Sequence, residues 1–101
     1  MKWVVFIRPR AEEDIFEARN WYDQQQANLG SRFLHEVSRA IKVLETDATR
    51  FPIYYKGFRR ILLPRFPYKL FYLIEGNRAI IFRVLHAKRN HRYRLPPNLD
   101  I

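Results

Sequence analysis

Six residues in the second half of the chain are of types that move protons or hold phosphate: Arg59, Arg83, His86, Arg89, His91 and Tyr93. Four of them fall in the stretch VLHAKRNHRYR, Val84–Arg94, which holds two histidines, one tyrosine, one lysine and three arginines and no acid. These types suit metal-independent cleavage of RNA. In that reaction a neighbouring 2′-hydroxyl attacks phosphorus, arginines stabilise the extra charge, and His, Tyr or Lys take up and deliver the protons. Each candidate also has a structural reading. His86 lies on one strand face with Ile80, Phe82 and Val84, where a histidine serves as a core-edge residue. Arg83 sits inside an apolar strand and needs a counter-charge, either an acid of the helical hairpin or an incoming anion. Strand alternation puts Arg83 opposite His86, and Arg59 opposite Arg60, so these basic residues do not all meet. Tyr68 and Tyr72 read as core residues rather than stacking platforms.

Other chemistries lack their residues. The chain has no cysteine and three glycines, so thiolate chemistry and a glycine-rich phosphate loop are absent. Residues 51–101 hold two acids, Glu75 and Asp100, which argues against a two-carboxylate mechanism. Both serines, Ser31 and Ser38, lie in the first half, away from the basic candidates. The three histidines, His35, His86 and His91, lack metal-ligand spacing, so neither metal nor cofactor is expected.

Charge is distributed unevenly. Residues 1–50 carry eight basic and eight acidic residues, whereas residues 51–101 carry eleven basic and two acidic, so the whole +9 excess lies in the second half. Such a field attracts anionic partners. Arg60, Arg65, Lys88, Arg92 and Arg94 are the expected binding residues, and a solvated basic face is the plain alternative. No apolar run reaches membrane-spanning length, and the five apolar residues before Arg8 are too few for a signal-peptide core. No membrane partner is therefore expected, and the lack of cysteine fits a reducing cytoplasm.

The elements that must position these residues follow from pattern. At 101 residues the chain forms one domain, 1–101, with residues 95–101 a loosely docked proline-rich tail. Lys2–Arg8 reads as a strand. Ala11–Gln26 reads as a helix with Ala11, Ile15, Ala18 and Tyr22 on one face, and Ser31–Asp47 as a second with Leu34, Val37, Ile41 and Leu44. The short link between them implies an antiparallel helical hairpin. Ala48–Gly57 reads as a loop. Phe58–Leu63, Tyr68–Ile74 and Ala79–Ala87 read as strands, the last two joined at Gly76-Asn77. The fold class is α+β: an N-terminal strand, a helical hairpin, then a three-stranded antiparallel meander packed on that hairpin. The last strand is expected to form the sheet edge, and the sheet face away from the helices to be partly open.

This order of elements resembles the RelE/ParE superfamily of toxins from type II toxin–antitoxin (plasmid stabilisation) systems. The likeness spans most of the chain. RAEEDIFEARNWY is similar to the family's first helix, and LGSRFLHEVSRAIKVLETDATRFP to its second helix and following loop. The most specific part is GFRRILLPRFPYKLFYLIEGNRAIIFRVLHAKRN, with its strand arginine, its FPYKLFY strand and its ending at His86 and Arg89. The resemblance implies an antitoxin partner whose acidic or amphipathic C-terminal segment wraps the toxin. RelE-like members cleave mRNA in the ribosome, while ParE-like members inhibit DNA gyrase. The RFPY strand and the H..R ending look ParE-like. The expectation is thus a ParE-like gyrase inhibitor. The alternatives are a RelE-like endoribonuclease using Arg59, Arg83, His86, Arg89, His91 and Tyr93, and a basic nucleic-acid-binding module.

Overall fold

The computed structural model describes residues 3–88. Strand β1 (Val4–Ile7) leads into helix α1 (Pro9–Gln25) and helix α2 (Leu29–Thr46). A 3-10 turn, Ala48–Arg50, precedes strands β2 (Ile53–Tyr55), β3 (Phe58–Leu62), β4 (Tyr68–Glu75) and β5 (Arg78–His86). The helices form because their apolar residues recur at helical spacing. Ala11, Ile15, Ala18 and Tyr22 of α1 are buried, as are Phe33, Val37, Ala40 and Leu44 of α2. Pro9 opens α1, where its missing N–H is no loss.

Helix α2 begins two residues before the expected Ser31. Gly30 explains the difference: its amide donates to Asp23 Oδ1 at 2.8 Å, and a β-carbon there would stand 2.5 Å from the Arg19 carbonyl oxygen. Glycine therefore lets the start of α2 close directly onto α1.

The sheet has five strands in the order β1-β5-β4-β3-β2, which corrects the three-stranded meander in two places. First, β1 joins the same sheet, pairing in parallel with β5 from Val4↔Arg78 to Ile7↔Ile81. The last strand is therefore not an edge. Second, the segment expected to be a loop contributes β2, which pairs antiparallel with β3. Lys56 and Gly57 make this possible by both taking positive φ, 46° and 83°, as a two-residue hairpin turn of the primed kind requires. Strand β4 is central, as its apolar character on both faces implies.

Between helices and sheet lies the main core. Phe33, Leu44, Leu70, Tyr72, Ile81 and Val84 are at most 1% exposed there. A second cluster occupies the other sheet face: Phe58, Phe71, Leu73, Ile80, Phe82 and Leu85, with Tyr54 and Tyr55 packed against it. Phe58 and Phe71 are 0% exposed, whereas Phe6 and Leu62 on the same face are 46% and 63% exposed, so the face is partly open, as expected.

A bulge in β5 sets the placement of its polar residues. Phe71 pairs with Arg83 but Tyr72 pairs with Ile81, which leaves Phe82 as the extra residue. Alternation is thereby reset. Ile81 and Val84 both face the helices, whereas Ile80, Phe82 and Leu85 face away. His86 pairs with Tyr68 on the helix side, so it shares a face with Val84 but not with Ile80 or Phe82.

Candidate functional site

The three pool members within the described residues do not converge. Arg83 meets Asp14 of α1: Nε and Nη2 donate to its two carboxylate oxygens at 2.7 and 3.0 Å. The Val84 amide adds a 3.0 Å bond to the same carboxylate. β1 stops pairing at Ile81, so the β5 backbone beyond it needs a new acceptor, and Asp14 supplies one. The counter-charge that Arg83 requires is thus an acid of the helical hairpin.

Arg59 lies on the helix side opposite Tyr72 and donates to the carbonyls of Thr49 (3.2 Å) and Phe51 (2.5 Å). It clamps the 3-10 turn to the sheet. Tyr72 works beside it, its hydroxyl donating to the Ala48 carbonyl at 2.6 Å. Burial pushes the Tyr72 hydroxyl up to about 12, and the nearby Arg59 charge opposes that rise. Tyr72 is core, as expected.

His86 stands edge-on to the Tyr68 ring at 5.3 Å, and its Nδ1 accepts from the Lys88 amide at 3.2 Å. The registers Arg59↔Tyr72 and Tyr68↔His86 put Arg59 and His86 two strands and four residues apart, about 16 Å at sheet spacings. That is too far for both to reach one reacting phosphate. Arg89, His91 and Tyr93, and the expected binding residues Arg92 and Arg94, lie outside the described residues, as does the 95–101 tail.

What the structure does assemble is a basic, aromatic outer face. The guanidinium of Arg60 stacks 3.9 Å from the Tyr54 ring, Arg8 4.9 Å from Phe82, and Arg78 5.0 Å from Phe6. Lys69 pairs with Leu85 on the same face, and Lys56 stands 5.7 Å over Tyr55 at its corner. Glu75 is the one acid on these strands, and it pairs with Arg78. The acids of the first half lie on the two helices and at Asp47, just after α2. The uneven charge of the sequence thus becomes two unlike surfaces. Sequence reasoning found Arg60 but missed Arg8 and Arg78; the alternation of Val5 and Ile7 inward with Phe6 and Arg8 outward was the available signal.

Among the described residues, two of the cavities bear on the candidate residues. One, about 550 Å³, lies among Asp14, Trp21, Tyr22, Tyr68 and His86. The other, about 630 Å³, lies between the first half of α2 and the β3–β4 loop, among Tyr22, Arg32, His35, Glu36, Arg65 and Phe66. Arg65 is exposed in that loop at φ 70°, and Lys88 is exposed beyond β5. Among the described residues no group of three His, Asp or Glu is placed to hold a metal ion. No helix among them is long and apolar enough to cross a membrane.

Comparison with known proteins fits this picture. A family profile described as the ParE toxin of the type II toxin-antitoxin system, parDE, matches residues 5–91. A solved structure titled as the chromosomal ParDE TA system from P. aeruginosa superposes with a TM-score of 0.77, covering 86% of this chain and 98% of that chain. Its sequence is 16% identical, so the likeness is one of fold. A search among curated protein sequences finds no match.

Proposed function

Because the chain belongs to the ParE toxin family of type II toxin–antitoxin systems, we propose that it arrests growth by binding DNA gyrase and is neutralised by a cognate antitoxin. One observation carries the choice of binding over RNA cleavage. Arg59, Arg83 and His86, the described members of the nuclease pool, are bonded into three separate parts of the scaffold. General acid–base cleavage needs its groups within hydrogen-bond reach of one substrate. What lies exposed instead is a surface of stacked cations, suited to recognising an anionic partner. An antitoxin with an acidic or amphipathic C-terminal segment is complementary to a chain of net charge +9. Both partners are placed in the cytoplasm.

The test is induction of the protein alone in cells, with plasmid supercoiling, the DNA-damage response and mRNA 5′ ends followed together. Loss of negative supercoiling with a damage response and intact mRNA is expected. New codon-phased mRNA ends with unchanged supercoiling would overturn the proposal and restore the endoribonuclease reading.

A further inference from the structure

Glu36 occupies a position that its helix reserves for apolar side chains. It falls on the buried stripe of α2 beside Phe33, Val37 and Ala40 and is 7% exposed. Among the described residues it makes no hydrogen bond or ion pair, and it lines the cavity between α2 and the β3–β4 loop. Its carboxylate oxygens are not fully enclosed, so the charge faces the cavity and is open to an incoming cation. The cations that line the cavity, Arg32 and Arg65, are exposed and form no ion pair with it. The walls beside it are aromatic: Tyr22 and Phe66, 9% and 7% exposed.

We propose that this cavity receives one basic side chain, lysine or arginine, from the antitoxin, and that Glu36 is its counter-ion. The inference rests on the toxin–antitoxin reading above and adds the chemistry of one contact. Charge complementarity selects the occupant. The carboxylate and the two rings favour a cation, which gains an ion pair and a ring contact together. The exposed Arg32 and Arg65 at the rim favour acids on either side of that cation. An acidic segment with a single embedded basic residue meets both demands. A wholly acidic segment would place like charges against Glu36 and be rejected.

The experiment uses the product of the neighbouring gene as the probe, titrated against the wild-type chain and Glu36→Gln. Glutamine keeps the shape and removes the charge. The variant is expected to bind about 10- to 100-fold more weakly, the usual loss for one desolvated charge-assisted contact. Free Glu36→Gln is expected to melt close to wild type, because the free carboxylate holds no bond that the substitution would remove. A purely structural Glu36 would give the opposite, with a lower melting temperature and unchanged affinity. Replacing each basic residue of the antitoxin segment by methionine should identify one whose effect vanishes in the Glu36→Gln background. A tight wild-type complex that Glu36→Gln leaves unaltered would overturn this contact alone. Failure of the wild-type chain to bind the neighbouring product would overturn the pairing itself.

Discussion

Replacing Asp14 with alanine is expected to bring the protein close to unfolding, though Asp14 touches no partner in the proposed function. Its carboxylate accepts from Arg83 Nε, Arg83 Nη2 and the Val84 amide at 2.7, 3.0 and 3.0 Å. The two side chains are 4% and 11% exposed, so solvent screens the pair little. Removing one member of a buried ion pair costs about 3–5 kcal/mol, much of it the desolvation of the charge left behind. Leaving the Val84 amide without its acceptor costs about 1 kcal/mol more. A domain of this size has about 5–15 kcal/mol in total, so the loss is a large fraction. Asp14→Asn keeps one acceptor oxygen and is expected to cost about 2–3 kcal/mol. The double variant Asp14→Leu with Arg83→Met removes both charges and should fall within about 2 kcal/mol of wild type. Urea unfolding of wild type, Asp14→Leu, Arg83→Met and the double variant forms a double-mutant cycle. Single losses below about 1 kcal/mol, or a double loss equal to the sum of the singles, would refute the reasoning. The cycle also decides what Arg83 does in cells: toxicity lost in Arg83→Met and regained in the double variant marks a scaffold residue, not a chemical one.

Tyr72 gives a pH prediction. Its folded value of about 12 exceeds the ordinary 10, so the stability it contributes is full below pH 10 and is lost between 10 and 12, about 2–3 kcal/mol. Tyr72→Phe should flatten that part of the alkaline unfolding curve while costing about 1 kcal/mol at neutral pH, and an unchanged curve would remove Tyr72 as its cause. Gly30→Ala should cost about 1–3 kcal/mol by urea unfolding, because the added carbon meets backbone on α1; a neutral result would show that the helices separate without strain. Charge reversal of Arg8 and Arg60 should cost about 1–2 kcal/mol through the two lost ring contacts, leaving the chain folded, yet weaken gyrase inhibition in a supercoiling assay, more so at low salt. Full inhibition by that variant would exclude the outer face as the contact.

The helical hairpin was legible because Ala11, Ile15, Ala18 and Tyr22 repeat at helical spacing, and β4 because it is apolar on both faces. The side of the sheet taken by Arg59 and by Arg60 also followed from alternation. The bulge at Phe82 was not legible, because no glycine or proline marks it, and one extra residue reassigns the face of every residue before it relative to His86. The parallel pairing of β1 with β5 was hidden for a different reason. Local pattern reports that a segment is a strand, not which distant strand accepts its hydrogen bonds. The Asp14–Arg83 pair was legible in part: an acid of the hairpin was one expected partner for Arg83, but which acid was not visible. Arg8 and Arg78 went unnoticed because charge was counted along the chain, while the outer face draws on both ends of it.

That same pairing of first and last described strands has a consequence for synthesis. While the chain is being made, the α1–α2 hairpin can form from neighbouring residues alone. Strand β1 must wait for β5, and Asp14 for Arg83, so the sheet closes only after residue 86 has emerged. The outer face that carries Arg8 and Arg78 together therefore cannot assemble before β5 has emerged. A chain interrupted before β5 would carry the helical hairpin and its acids without the basic surface.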